Sequence, residues 1–373
     1  MNTLQLGMTA AQTRGGGVDR YYFSLLRELP ELGVGVRGLV VGDPSISASV
    51  HGVAAFAPEG VGMLKRWSAL RGAVSGVLGQ TDLTVSHFAP YAFPVLDRLR
   101  TRPLVVHFHG PWALESAVEG AGRIAVAAKR ALEHVVYRRA ARFIVLSKAF
   151  ATILEREYGV KGERIRIVPG GVDLARFRSV GSRADARRKL GWPLDRPTVV
   201  TVRRLVHAKG IENLIDATAR LRSAIPDVHV VIVGTGPLAG ELQRRARERG
   251  LEQSIRFAGY VAEEDLPTAY RAADLFVVPT IALEGFGLVV VEALACGTPV
   301  LVTPIAGLPE VVRDLDPGLI LSGTSAEAIA TGLGDALGGR LPLPDEDACI
   351  RYAARFDWPA IAAQVRDVYR EVA

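Results

Sequence analysis

Short apolar runs alternate along most of this chain with longer stretches in which apolar residues recur every third or fourth position. The first pattern predicts β-strands and the second amphipathic helices. In the first half, strands are expected over 4–9, 34–41, 83–86, 104–109 and 143–146, and helices over 18–29, 65–78, 123–140 and 148–158. The second half repeats the alternation, with strands over 199–202, 229–233, 255–257, 275–278 and 299–302. Its helices fall over 211–224, 238–249, 266–273 and 288–296. Strands that alternate with helices argue for an α/β chain built on parallel, doubly wound sheets. A stretch rich in Arg, Ser, Gly and Pro, 178–197, separates the halves. The expected organisation is two Rossmann-like domains, 1–177 and 178–354, with an amphipathic helix over 355–373. Ligands of such sheets bind outside the carboxyl ends of the strands.

The composition agrees with two domains: 373 residues, 49% of them hydrophobic and 23% charged, suffice for two sizeable cores. Two cysteines, Cys296 and Cys349, offer neither a disulfide framework nor metal-site spacing and fit a reducing compartment. Residues 1–7 lack a basic region followed by an apolar run, so no signal peptide is expected. The longest apolar stretch, 288–302, is interrupted by Glu292, Gly297 and Pro299 and is too short to span a bilayer. The reading is cytoplasmic. Charge changes that picture in one respect. The net charge of +6 is uneven: residues 1–175 carry 21 Lys/Arg against 14 Asp/Glu, a net of +7, while the remainder carries 24 against 25, a net of −1. A basic half suits an anionic membrane surface or a phosphate-bearing acceptor. Nucleic acid is not expected, since no recognition motif accompanies the charge. The basic segment 123–142 reads equally as a solvated outer helix or as one that lies peripherally on anionic lipid.

The chemistry concentrates in Glu284-Gly285-Phe286-Gly287-Leu288, which continues through three valines to Glu292. A strand ends, a glycine-rich loop turns, and an apolar helix starts near Gly287. A helix start of this kind offers free backbone N–H groups and partial positive charge to a phosphate. Glu292 sits among apolar neighbours, where a carboxylate is costly without a hydrogen-bonding partner. A ribose diol suits it, at roughly 6–8 Å beyond the phosphate end for a rise of ~1.5 Å per residue. Glu284 faces the other way, towards whatever the diphosphate carries.

Arg204 and Lys209 fall on the loop after the first strand of the second half, where two fixed cations would neutralise a diphosphate. Gly15, Gly16 and Gly17 lie between the first strand and first helix and let backbone approach a ligand. His107 and His109 end the fourth strand predicted in the first half, both on one side by alternation. Gly234 and Gly236 follow a strand but miss the dinucleotide fingerprint, although they can line a nucleotide pocket. Asp345-Glu-Asp347 sits in a Pro-rich loop and reads as a solvated turn. No Asp-x-Asp at a strand end, no Cys/His cluster and no carboxylate pair is placed to hold Mg²⁺, so neither metal nor cofactor is expected.

The paired glutamates, the Arg204-Leu and Lys209-Gly pairs, the glycine loop and His109-Gly together resemble the signature of retaining GT-B glycosyltransferases of family 4, and the resemblance covers nearly the whole chain. It implies two facing Rossmann-like domains with a cleft, closed by a Phe-x-Trp helix that crosses back onto the first domain. It also implies that Glu284 and His109 contact the donor sugar, Glu292 the ribose, and Arg204 and Lys209 the phosphates. Arg203 departs from the family, which usually has Gly there. The implied activity moves a hexose from a UDP-hexose or GDP-mannose type donor to a hydroxyl acceptor, with retention. The implied acceptor is a lipid-linked or cell-surface saccharide precursor in polysaccharide biosynthesis. The alternatives are a GT-B epimerase or hydrolase, or a non-catalytic nucleotide-sugar sensor.

Overall fold

A computed structural model describes residues 1–9, 16–46, 50–178 and 181–373. The chain forms two compact units: Met1–Gly170 together with Trp358–Ala373, and Gly171–Asp357. The sequence reading set the joints at 177/178 and 354/355. In the structure the Val172 N–H donates to the Phe356 carbonyl (2.7 Å) and Val172 bridges Asp357, which places both connecting segments in the second unit.

Among the described residues the first unit holds a seven-stranded sheet. Its strands are β1 (Asn2–Thr9), β2 (Gly35–Val41), β3 (Val53–Ala57), β4 (Leu83–Ser86), β5 (Leu104–Phe108), β6 (Arg142–Val145) and β7 (Ile165–Ile167). They lie in the order β3-β2-β1-β4-β5-β6-β7, and every pairing is parallel. The pattern analysis missed β3 and β7, both of them edge strands. One is alanine-rich and the other spans three residues, so neither carries much β signal. His107 therefore lies on the fifth strand rather than the fourth. The second unit holds β8 (Thr198–Val202), β9 (His229–Val233), β10 (Ile255–Gly259), β11 (Leu275–Val278) and β12 (Val300–Val302) in the order β10-β9-β8-β11-β12, again all parallel.

Helices cover both faces of such sheets, which is why β8, β9, β11 and β12 are buried at every residue and read as largely apolar runs, with Thr198, Thr201 and His229 the exceptions. Each Val or Leu buried this way contributes about 1.5–3 kcal/mol. Strand order reverses between β1 and β4 in one sheet and between β8 and β11 in the other. These are the switch points at which loops diverge and open a crevice. The helix Trp358–Arg370 packs on the first unit through Ile361, Val365, Val368 and Tyr369, all buried. Glu371, just beyond it, holds Arg142 (2.9 Å) and Arg166 (2.7 Å).

Candidate active site

The switch point of the second unit gathers a buried charge cluster. Arg203, the first residue after β8, extends the ladder by donating its N–H to the Val233 carbonyl (2.9 Å). Its guanidinium is buried and donates to Thr280, just after β11, and to Glu284. Lys209 Nζ reaches the same carboxylate oxygen, Glu284 Oε2, at 2.9 Å. Burial alone would raise the Glu284 carboxyl, but Arg203 and Lys209 override it and hold it at about 2. The carboxylate is ionised and fixed, with its side chain 13% exposed.

Arg204 lies elsewhere. Successive residues of an extended segment point to opposite sides. Arg203 takes the inward position, while Arg204 is exposed with no side-chain partner among the described residues. The cation beside Lys209 in the cluster is thus Arg203, which the sequence reading left without a role.

The helix Leu288–Ala295 starts from Gly287, whose φ of 85° favours glycine and whose added Cβ would lie 2.7 Å from Leu308 Cδ2. No side chain caps this start. Gly285 and Phe286 are buried, Phe286 against the Phe356 ring (5.6 Å), and Leu288 is half-buried. Glu292 is buried as expected, but protein answers part of its need: the Tyr270 hydroxyl donates to Oε2 at 2.6 Å. Gly234 and Gly236 press against backbone, where added Cβ atoms would lie 1.9 Å from the Arg203 carbonyl oxygen and 2.3 Å from that of Leu205. Their close approach is to the loop carrying Arg203, which they pin. Asp345 is a helix cap rather than a free turn, accepting from the Ala348 N–H at 2.7 Å.

In the first unit, Gly15 lies outside the described residues. Gly16 precedes the helix Gly17–Glu28. That helix start is less open than its glycines suggest, because Asp19 accepts from the N–H groups of Gly16 (3.1 Å) and Thr9 (3.3 Å). At the switch point, His87 follows β4, and His107 and His109 lie on and just after β5. One ligand nitrogen from each lies within 4.8 Å of the others. This overturns the expectation of no histidine cluster. The rings stack, His87 on His107 at 4.3 Å and on His109 at 5.3 Å. Their nitrogens engage protein: His87 Nδ1 lies 3.0 Å from His109 Nε2 and His87 Nε2 lies 3.2 Å from Gln5 Oε1. His107 meets the hydroxyls of Tyr21 (3.2 Å) and Tyr369 (2.8 Å). Stacked rings with nitrogens committed to such partners suit a neutral hydrogen-bond network better than a shared ion. Burial holds His109 down at about 3, and His87 and His107 well below the usual imidazole range.

Sequence reasoning missed Gln5, Tyr21, His87, Tyr270, Thr280 and Tyr369. His87 directly follows a predicted strand, which was a usable signal. The others lie in ordinary apolar patterns.

Comparison with known proteins extends this picture. The family described as Glycosyltransferase Family 4 matches residues 15–176, and that described as Glycosyl transferases group 1 matches residues 182–356. The chain is 31% identical over 383 residues to the D-inositol 3-phosphate glycosyltransferase of Acidothermus cellulolyticus, covering 96% of this chain and 82% of that protein. It is 40% identical over 177 residues to the GDP-mannose-dependent alpha-(1-6)-phosphatidylinositol monomannoside mannosyltransferase of Mycolicibacterium smegmatis, a match spanning 46% of each. Among solved structures, sucrose-phosphate synthase from Thermosynechococcus elongatus superposes with a TM-score of 0.82 at 25% identity, covering 99% of this chain and 98% of that one. Anabaena HepE, solved with UDP-glucose, shares the fold with a TM-score of 0.81 at 23% identity over the whole of both chains. Two family models that together span most of the chain, a relative that matches 96% of it and the two parallel sheets agree: this chain is a glycosyltransferase of family 4 with the GT-B fold.

Proposed function

We propose that the enzyme moves a hexose from a nucleoside diphosphate sugar to a hydroxyl acceptor, with anomeric configuration retained and no metal ion required. The observation that carries this reading is the ionised Glu284 carboxylate, held by Arg203 and Lys209 near the uncapped helix start at Gly287. Glu284 Oε1 has no hydrogen-bond partner among the described residues and is free to accept from a sugar hydroxyl. Arg204 with its exposed guanidinium, Lys209, and the amides of Gly287 and Leu288 face the diphosphate. Glu292 takes the ribose alongside Tyr270, and Gly234, Gly236, Gly285 and Phe286 shape the nucleotide side. Gly16, Gly17 and His109 serve the sugar and acceptor from the first unit.

In the reaction the bond between the anomeric carbon and the phosphate oxygen breaks, and its electron pair stays on the diphosphate. The acceptor oxygen bonds to the same face of the anomeric carbon, and its proton passes to the departing phosphate. Fixed cations and a helix start stabilise the charge that grows on the leaving group, the largest catalytic contribution such a site makes. The relatives' names point to GDP-mannose for one donor and to an inositol phosphate or a phosphatidylinositol mannoside for the acceptors. An acceptor carrying phosphate, in a lipid-linked saccharide precursor, fits the basic first unit. The proposed location is the cytoplasmic face of a membrane, held peripherally. Among the described residues no helix is long and apolar enough to cross one.

The test incubates purified protein with UDP-hexoses and GDP-mannose, with and without inositol phosphate and phosphatidylinositol mannoside acceptors. Nucleoside diphosphate released only with acceptor, and a product of retained configuration, are expected. Release without acceptor would mean a hydrolase, an altered sugar nucleotide an epimerase, and binding without turnover a sensor.

A further inference from the structure

The hydrogen bonds behind His109 leave one consistent placement of protons. Thr3, fully buried on β1, has a single hydroxyl proton, and it lies 3.0 Å from the Gly35 carbonyl, which can only accept. The hydroxyl therefore donates there, and its oxygen must accept from the Gln5 atom 3.0 Å away. That atom is the amide nitrogen, so the Gln5 side-chain carbonyl faces His87. Orientation of an amide is a matter of its partners, and here the partners settle it. A carbonyl oxygen 3.2 Å from His87 Nε2 requires the proton on Nε2. In a neutral imidazole that leaves a lone pair on Nδ1, which lies 3.0 Å from His109 Nε2. His109 must then donate from Nε2, and its Nδ1 carries a lone pair. This Nδ1 has no hydrogen-bond partner among the described residues, and the residue is half-buried. The Tyr21 ring meets the His109 ring edge-on at 4.9 Å and fixes its plane, with Trp358 packed on Tyr21 at 5.2 Å. The other titratable groups packed here, His107, Tyr21, Tyr22 and Tyr369, are held neutral by burial, so nothing nearby favours an imidazolium.

We propose that Thr3, Gln5 and His87 are positioning residues whose hydrogen-bond chain, running from the Gly35 carbonyl, locks His109 as a pure acceptor at Nδ1 for a sugar hydroxyl. The proposal deepens the transferase reading and rests on it for the identity of the ligand. The hydroxyl belongs either to the transferred hexose or to the acceptor, and the test separates these sources.

The experiment records ¹⁵N spectra of histidine-labelled full-length protein, with His87 and His109 assigned through His87→Phe and His109→Asn variants. At neutral pH both residues should show the Nε2–H tautomer alone, with an unprotonated Nδ1. Adding UDP-glucose or GDP-mannose should move the His109 Nδ1 signal upfield if the donor supplies the hydroxyl, and adding inositol should do so if the acceptor does. In Gln5→Leu, which removes the carbonyl that anchors His87, an Nδ1–H population should appear at His109. The KM of the substrate responsible should then rise about tenfold, the loss of one hydrogen bond, with kcat little changed. His109→Asn, which keeps an acceptor oxygen near Nδ1, should retain more affinity than His109→Leu. A wild-type His109 protonated on Nδ1 overturns the proposal, as does an Nδ1 signal unmoved by all three ligands. Because the free-protein spectrum needs no turnover, an enzyme that transfers no hexose would defeat the functional reading while leaving the tautomer assignment standing. Should Gln5→Leu fail to fold, the wild-type spectrum and titrations decide alone.

Discussion

Glu284 shows how one residue ties electrostatics to chemistry. Its carboxyl, normally near 4.5, is held at about 2 by Arg203 and Lys209. A carboxyl depressed in the folded state stabilises the protein fully above its unfolded value and loses that contribution as pH falls through the folded one. Wild type should therefore exceed Glu284→Gln in stability by about 3 kcal/mol at neutral pH, with the gap closing between about pH 4.5 and 2. Urea unfolding across that range measures it, and a gap independent of pH would mean that the pair is not ionised. Truncating the cations separates their roles. Arg204→Ala and Lys209→Ala should each lower turnover about 10²–10³-fold with smaller effects on donor affinity, because charge on the diphosphate grows in the transition state. An unchanged rate in either variant removes that residue from the site. Arg203 was the residue hardest to assign from sequence, since two adjacent arginines are chemically equal until the backbone turns one inward.

At the scale of elements, the helix Leu288–Ala295 was legible from its apolar run and preceding glycines, but its start depends on one backbone conformation. Gly287→Ala would force a Cβ into positive φ and against Leu308. Such a change costs about 1–2 kcal/mol from the backbone alone, and it should weaken nucleotide binding in calorimetry by shifting the helix start. Full retention of both stability and affinity would show that this start makes no contact with the donor. The basic helix Arg123–Arg139 was read from sequence as open to two roles, and the structure sharpens the choice of residues. Arg139 is spent on the carbonyls of Leu99, Arg100 and Arg102, whereas Arg123 and Arg138 are exposed, as is Ile124 at 88%. If this helix meets lipid, the protein should co-sediment with anionic vesicles at low salt and release as ionic strength rises. Arg123→Glu with Arg138→Glu should weaken that binding, and indifference to both salt and substitution would end the idea.

At the scale of the whole molecule, the charges proposed to neutralise the leaving group are covalently part of the chain, which makes a dissociable cation redundant. Activity should survive excess EDTA with little loss, and abolition that Mg²⁺ or Mn²⁺ reverses would place the charge elsewhere. Hydrophobic periodicity by itself determined the alternating elements apart from the edge strands β3 and β7, the parallel α/β class and the strand ends that bear the loops. A helix or a doubly covered strand must repeat its apolar positions locally, so that pattern survives in one dimension. Local chemistry also marked Glu284, Glu292, Lys209 and Gly287, because a carboxylate in an apolar run or a glycine at a helix start is anomalous on its face. Only the tertiary structure decided the partners. Gln5, His87, His107 and Tyr369 come from opposite ends of the chain, and they meet because β1, β4 and β5 are neighbours and the last helix packs beside them. Tyr270 reaching Glu292 and Arg203, rather than Arg204, meeting Glu284 have the same origin. A hydrogen bond is specific to within tenths of an ångström and to one face of a strand, and neither is encoded in the residues until the sheet has formed.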